Sequence, residues 1–145
     1  MVLDASVWVA ALIKKEQHHA ESALFLSRLV QDRRTASVPI LVLAEVAGAI
    51  ARQSRDTARA ETGLQFMRAQ GWLSIHPVTE SQGETAAVIA ARQFLRGADA
   101  VYAALARQLG TPLVTWDKEL LDRAAAVVPA FTPTDWLRQN PSDRT

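Results

Sequence analysis

The sequence predicts an α/β domain, a parallel sheet covered by helices. Three observations carry that expectation. Short apolar stretches bounded by turn residues alternate with longer, alanine-rich segments at helical spacing. The length of 145 residues suits a single domain, one that buries roughly two thirds of its unfolded surface. Apolar residues make up 49% and charged residues 21%, a globular balance that needs no staple.

The elements follow in order. Val2-Leu3 is a very short strand, with Met1 adding little length for pairing. Ser6 is expected to cap a helix through about Ile13, and Glu21 to Val30 forms a second, its face drawn by Ala20, Leu24, Leu26 or Ser27, and Val30. Thr35 to Val38 is a buried strand. Pro39 then fits the first turn of the helix ILVLAEVAGAIARQ, where a missing N–H costs nothing. Asp56 or Thr57 starts a helix to about Ala69, which Gly71 closes before the strand Trp72–His76. Thr79 with Gln82 makes a capping box for a helix to Phe94. Arg96-Gly97-Ala98 reads as a loop, and Asp99 opens a helix that ends near Gly110. Pro112–Thr115 is the clearest strand, Asp117 precedes a short helix to Ala125, and Val127-Val128 reads as an edge strand. The domain is expected over residues 1–137, with a polar tail at 138–145 that frays from Asn140 onward.

Composition excludes several chemistries. The absence of cysteine removes disulfides, thiolate nucleophiles, Cys-based zinc sites and iron–sulfur clusters. No run of about 20 apolar residues and no basic leader occurs, so a soluble, cytoplasmic protein with no membrane partner is expected. Ser6 lacks a G-x-S-x-G setting, which disfavours a serine hydrolase. His18 and His19 are expected in solvent and His76 in a structural role. The net charge is only +1, although thirteen of the sixteen basic residues are arginine, the better donor to phosphate.

Four carboxylates fall where solvent does not explain them. Asp4 follows an apolar strand, and Glu45 sits in the most apolar helix. Asp99 stands at a helix start and Asp117 at the end of a strand. Ionised acids in apolar settings are costly unless paired, hydrogen-bonded or bound to metal. In parallel sheets, sites gather beyond the carboxyl ends of the strands. Asp4 and Asp117 lie there, Asp99 can point into the same crevice, and Glu45 can reach in from the side. Clustered carboxylates repel, and a divalent cation relieves them; an all-oxygen set suits Mg²⁺ or Mn²⁺. Such an ion beside a phosphodiester is a standard arrangement for hydrolysis. With four acids around metal, the rest of the surface carries a clear excess of base and attracts a polyanion. Ser6 and Thr115 stand two residues from a site acid and are supporting candidates. Arg96 and Lys118 flank the crevice as candidate phosphate contacts, and Trp116, beside Asp117, is a candidate substrate contact. Trp8, Trp72 and Trp136 are expected in core packing.

These residues resemble the PIN-domain family, especially the VapC-like toxins of type II toxin–antitoxin pairs. Leu3-Asp4-Ala5-Ser6-Val7 is similar to the family's first acidic motif, and Leu43-Ala44-Glu45-Val46 to its second. Gly97-Ala98-Asp99-Ala100-Val101-Tyr102 resembles the third, and Leu113-Val114-Thr115-Trp116-Asp117 the fourth. Each motif alone is weak; their order and spacing over almost the whole chain are specific. The resemblance implies a three-layer α/β/α fold with strand order 3-2-1-4-5. It implies Mg²⁺- or Mn²⁺-dependent endoribonuclease activity, an RNA substrate, a homodimer and a cognate antitoxin. Asp4, Glu45, Asp99 and Asp117 become the implied metal and catalytic positions. Leu12, Leu24 and Leu29 offer a candidate homodimer face. The competing readings are a PIN-like RNA-processing nuclease that is not a toxin, a nonenzymatic RNA- or protein-binding module, and, remotely, a phospho-receiver domain.

Overall fold

A computed structural model describes residues 1–141. Five parallel strands run β1 (Val2–Leu3), β2 (Ala36–Pro39), β3 (Leu73–His76), β4 (Leu113–Val114) and β5 (Ala130–Phe131). The helices are α1 (Ala5–Leu12), α2 (His19–Gln31), α3 (Leu41–Ser54), α4 (Thr57–Arg68), α5 (Glu80–Gln93), α6 (Gly97–Leu109), α7 (Lys118–Ala124) and α8 (Pro133–Gln139). The sheet order is β3-β2-β1-β4-β5 within three α/β/α layers, as expected. A receiver-type doubly wound sheet runs 2-1-3-4-5, so the topology sets that reading aside.

The order creates a switch point. The chain steps from β1 outward through β2 and β3, then crosses back so that β4 pairs with the free side of β1. Crevices form at such reversals, beyond the carboxyl ends of the two strands. Helix α6 lies against β1, β2 and β4, with α5 packed on it; α1 joins α2 and α3, and α3 packs on α4.

The core is formed by Val2, Leu3, Trp8, Phe25, Tyr102 and Leu113, among others, all without exposed surface. The alanines of α6 let it lie close on the sheet: Ala100, Ala103 and Ala106 are fully buried. Trp8 is also 0% exposed and stacks on Trp72, with ring centroids 5.8 Å apart and 11° between planes. Its indole Nε1 has no hydrogen-bond partner among the described residues.

Several local expectations are corrected. Pro39 ends β2 and does not start a helix. Ser37 donates to the Met1 carbonyl, and Pro39, two residues on along the same edge, has no N–H to continue. The β1–β2 ladder stops there. The buried face of α2 is Ser22, Phe25, Leu26 and Leu29, a tighter helical stripe than the expected one, and Leu24 and Val30 face solvent. Leu29 is therefore core and cannot contribute to a dimer face. Asp4, not Ser6, caps α1. Residues 97 and 98, expected in a loop, are the first turn of α6, so Asp99 is its third residue and not its cap. The last strand is Ala130–Phe131 because Val127 and Val128 return their N–H groups to the Ala124 carbonyl as a turn. Helix α8 is an element beyond those expected, with Thr132 capping it through the Asp135 N–H at 3.0 Å and Pro133 in its first turn. It crosses the expected boundary at residue 137, and of the expected tail, residues 142–145 lie outside the described residues.

We expect Trp8→Ala to destabilise the protein by about 3–5 kcal/mol in urea titrations, the cost of an emptied aromatic site. Trp8→Phe should cost much less, because it also removes an unpaired buried N–H.

Candidate active site

The site is assembled at the switch point. Asp4 leaves the end of β1 with extended backbone (φ −71, ψ 155) and caps α1, its Oδ2 accepting from the Ser6 N–H at 3.2 Å. The same oxygen accepts from Ser6 Oγ at 2.5 Å and from Thr115 Oγ1 at 2.9 Å. Thr115 follows β4, so Asp4 ties the two central strands together beyond their ladder. Two further bonds close the corner: the Trp116 N–H donates to Ser6 Oγ at 3.0 Å, and the Asp117 N–H to Thr115 Oγ1 at 2.9 Å. Ser6 and Thr115 therefore hold Asp4 directly.

Asp117 caps α7, its Oδ1 accepting from the Leu120 N–H at 2.9 Å. Asp99 sits in the first turn of α6, where a negative charge is favoured by the helix dipole. A guanidinium joins these two acids. Arg96 Nε donates to Asp99 Oδ2 and Nη2 to Asp117 Oδ2, each at 2.7 Å. Glu45, the fifth residue of α3 and half-buried, accepts from the Tyr102 hydroxyl at 2.5 Å.

Electrostatics couple these groups. Burial raises the Asp4 carboxyl above its ordinary range, against the pull of the Ser6 and Thr115 bonds, and Asp99 adds repulsion. Burial also raises Glu45; the Tyr102 bond opposes this, and the charges of Asp4 and Asp99 add to it. Asp99 is raised by burial as well, although Arg96 pulls it down. The pocket therefore holds more negative charge than one guanidinium balances.

Among the described residues, no three carboxylates or imidazoles stand close enough to grip one ion in this conformation. Each acid is instead turned toward its own hydroxyl or guanidinium partner. The donor set still fits a hard divalent cation. Asp4 Oδ1, Glu45 Oε1 and Asp99 Oδ1 carry no hydrogen bond among the described residues. Every potential ligand is an oxygen, and a cation, Arg96, already bridges two of the acids.

The flanking candidates fare differently. Arg96 gives its Nε and Nη2 to the two acids. Lys118 is exposed one residue beyond the cap. Trp116 is tied to α2, its Nε1 donating to Ser22 Oγ at 2.7 Å and its ring stacked on His18 at 3.9 Å with 9° between planes. His18 is therefore not simply solvated, and His19 Nδ1 meets the Ala10 carbonyl at 2.9 Å. His76 is structural, with Nε2 at 3.1 Å from Ser37 Oγ. Sequence reasoning missed Tyr102 as the partner of Glu45 and Arg96 as the bridge. Tyr102 lies three residues after Asp99 on one helix face, a readable spacing.

Sheet order, switch point and acidic crevice define a PIN domain. A PIN-domain family model matches residues 1–127, and the chain belongs to that family. Among solved structures it is similar to Mycobacterium tuberculosis VapC20, a sarcin–ricin-loop-cleaving toxin, at 21% identity over 88% of this chain and 95% of that one, with a TM-score of 0.70. It is also similar to VapBC2 from Rickettsia felis, solved on a fragment of its promoter DNA, at 16% identity over 90% and 96%, TM-score 0.70. FitAcB from Neisseria gonorrhoeae matches at 19% identity over 92% and 97%, TM-score 0.67. No curated protein matches significantly in sequence.

We expect Asp4→Asn to be more stable than the parent near neutral pH in EDTA, by about 1–2 kcal/mol, since it removes a buried charge and keeps a capping oxygen. Raised carboxyls contribute most to stability below their unfolded pKa values, and that contribution is lost as pH rises through the folded ones. The metal-free parent should therefore weaken from about pH 4 upward, and Asp4→Asn should weaken less. Thermal melts across pH read both.

Proposed function

We propose that this chain is a Mg²⁺- or Mn²⁺-dependent endoribonuclease and the toxin of a toxin–antitoxin pair. It would hydrolyse RNA phosphodiesters to leave 5′-phosphate and 3′-hydroxyl ends. The observation that carries this reading is the set of three electrostatically coupled acids with unpartnered oxygens at the sheet's switch point, beside a fourth that Arg96 bridges.

Asp4, Asp99 and Asp117 would hold the ion directly or through water, with Glu45 helping through the attacking water, and the ion when bound would acidify water and neutralise charge developing on the phosphate. The chain's own groups do the rest. Ser6 and Thr115 keep the Asp4 carboxylate in one orientation. Burial makes Glu45 a better proton acceptor, and its free Oε1 takes the proton of the attacking water while Tyr102 holds Oε2. Attack in line on phosphorus would form the new P–O bond as the P–O3′ bond breaks, the ribose 3′-oxygen leaving as a hydroxyl with a proton taken from solvent water. This accounts for the expected ends.

The toxin reading is preferred to an RNA-processing nuclease because the similar structures include a named toxin and complexes of toxin–antitoxin type. An antitoxin also has somewhere to bind. A groove of about 900 Å³ between α1, α3 and α4 is lined by Leu12, Ile13, Ile50 and Phe66, with Lys14 and Lys15 at its edge. An amphipathic helix with an acidic flank matches that chemistry. A homodimer remains part of the reading. Among the described residues no helix is long and apolar enough to cross a membrane.

Purified protein with Mn²⁺ should cut a mixed RNA pool into discrete products. Asp99→Asn should lower the rate by at least about a hundredfold, and EDTA should abolish cutting. Products that persist in the Asp99→Asn variant would refute the assignment of this site. In cells, induced expression should arrest growth; a small antitoxin encoded next to the gene, where there is one, should restore it, and Phe66→Glu should remain toxic in its presence.

A further inference from the structure

Arg96 is the residue just before α6 and its side chain is 64% exposed, yet two of its three guanidinium nitrogens, Nε and Nη2, are committed inward. Its two partners sit on different elements, Asp99 in the first turn of α6 and Asp117 at the cap of α7. Each contact is 2.7 Å. A long surface side chain gives up rotamer freedom to lie this way, so the pull comes from the unbalanced carboxylates. Lys118, next to Asp117 in sequence, is exposed and takes no part. A planar fork spans two carboxylates where an ammonium meets them as a point charge.

We propose that Arg96 is a built-in stand-in for the divalent ion: its guanidinium bridges Asp99 and Asp117 in the metal-free protein, is displaced when the ion binds, and then turns outward onto an RNA phosphate. The inference rests on the metal-dependent reading above. Competition centres on Asp117, whose Oδ1 caps α7 and whose Oδ2 is held by Arg96, so this acid has an oxygen to offer an ion only when the guanidinium lets go. A divalent charge in place of a single one also offsets more of the crowded carboxylates. The backbone of Arg96 stays anchored at the start of α6, so the released fork remains within one side-chain length of both acids. There it meets the anion whose geometry it matches two-pronged. Competition makes the protein's apparent metal affinity weaker than the bare carboxylates would allow. Release makes the two-pronged phosphate contact available only after the ion has arrived. Arg96 is then a positioning residue with two successive partners.

The test is Mn²⁺ binding by calorimetry to the purified parent, Arg96→Ala, Arg96→Gln and Arg96→Lys, beside steady-state RNA cleavage at saturating Mn²⁺. Loss of the stand-in should tighten Mn²⁺ about tenfold or more in the alanine and glutamine variants, with lysine between. In EDTA those two variants should melt below the parent and gain more from Mn²⁺. In cleavage, KM should rise more than kcat falls. Equal or weaker Mn²⁺ binding by the two variants, with the parent binding normally, overturns the exchange and leaves the metal reading standing. Binding by the variants alone supports it strongly. No Mn²⁺ binding by any of the four proteins overturns the metal reading and the exchange with it.

Discussion

The site depends on one buried carboxylate, that of Asp4. It is only 6% exposed, and one of its oxygens takes three donors, two from Ser6 in the first turn of α1 and one from Thr115 just after β4. An isolated charge in such a place would be untenable. The donors make it tolerable without making it comfortable, since its carboxyl remains raised. That residual cost is what makes the pocket receptive to a cation. Ser6 and Thr115, which look like ordinary capping hydroxyls, are the groups that keep the cost low enough for the fold to survive.

The other acids repeat the compromise with different partners. Glu45 leans on a tyrosine, while Asp99 and Asp117 share an arginine. Each partner restrains a side chain while leaving at least one oxygen of Asp4, Glu45 and Asp99 without a hydrogen bond among the described residues. Asp4 and Asp117 also cap helices. The same side chains thus start the helices that flank the crevice and supply its charge.

Much of this was legible in the sequence. The four acids stood out because apolar neighbours cannot explain them, and the parallel sheet followed from strand and helix alternation. Strand order came with the family resemblance, not with periodicity. What failed was decided by contacts far apart in the chain. Pro39 reads as a helix start until the edge it shares with Ser37 is known. The face of α2 was misjudged because Leu24 and Val30 are apolar yet exposed. Tyr102 and Glu45 are 57 residues apart, and only the packing of α6 brings them together. The stack of His18 on Trp116 likewise needs the loop before α2 to fold back on the end of β4.

The two central strands are two residues each, shorter than the four-residue β2 and β3 beside them. The β1–β2 ladder ends at Pro39, and β1 and β4 share only Val2–Leu113 and Leu3–Val114. Beyond that, the corner is held by side chains: Asp4 to Thr115, and Ser6 to the Trp116 backbone. A longer backbone ladder would normally fix such a corner. Here two hydroxyls and one carboxylate take over much of that task, so the crevice inherits its shape from side chains more than from the sheet.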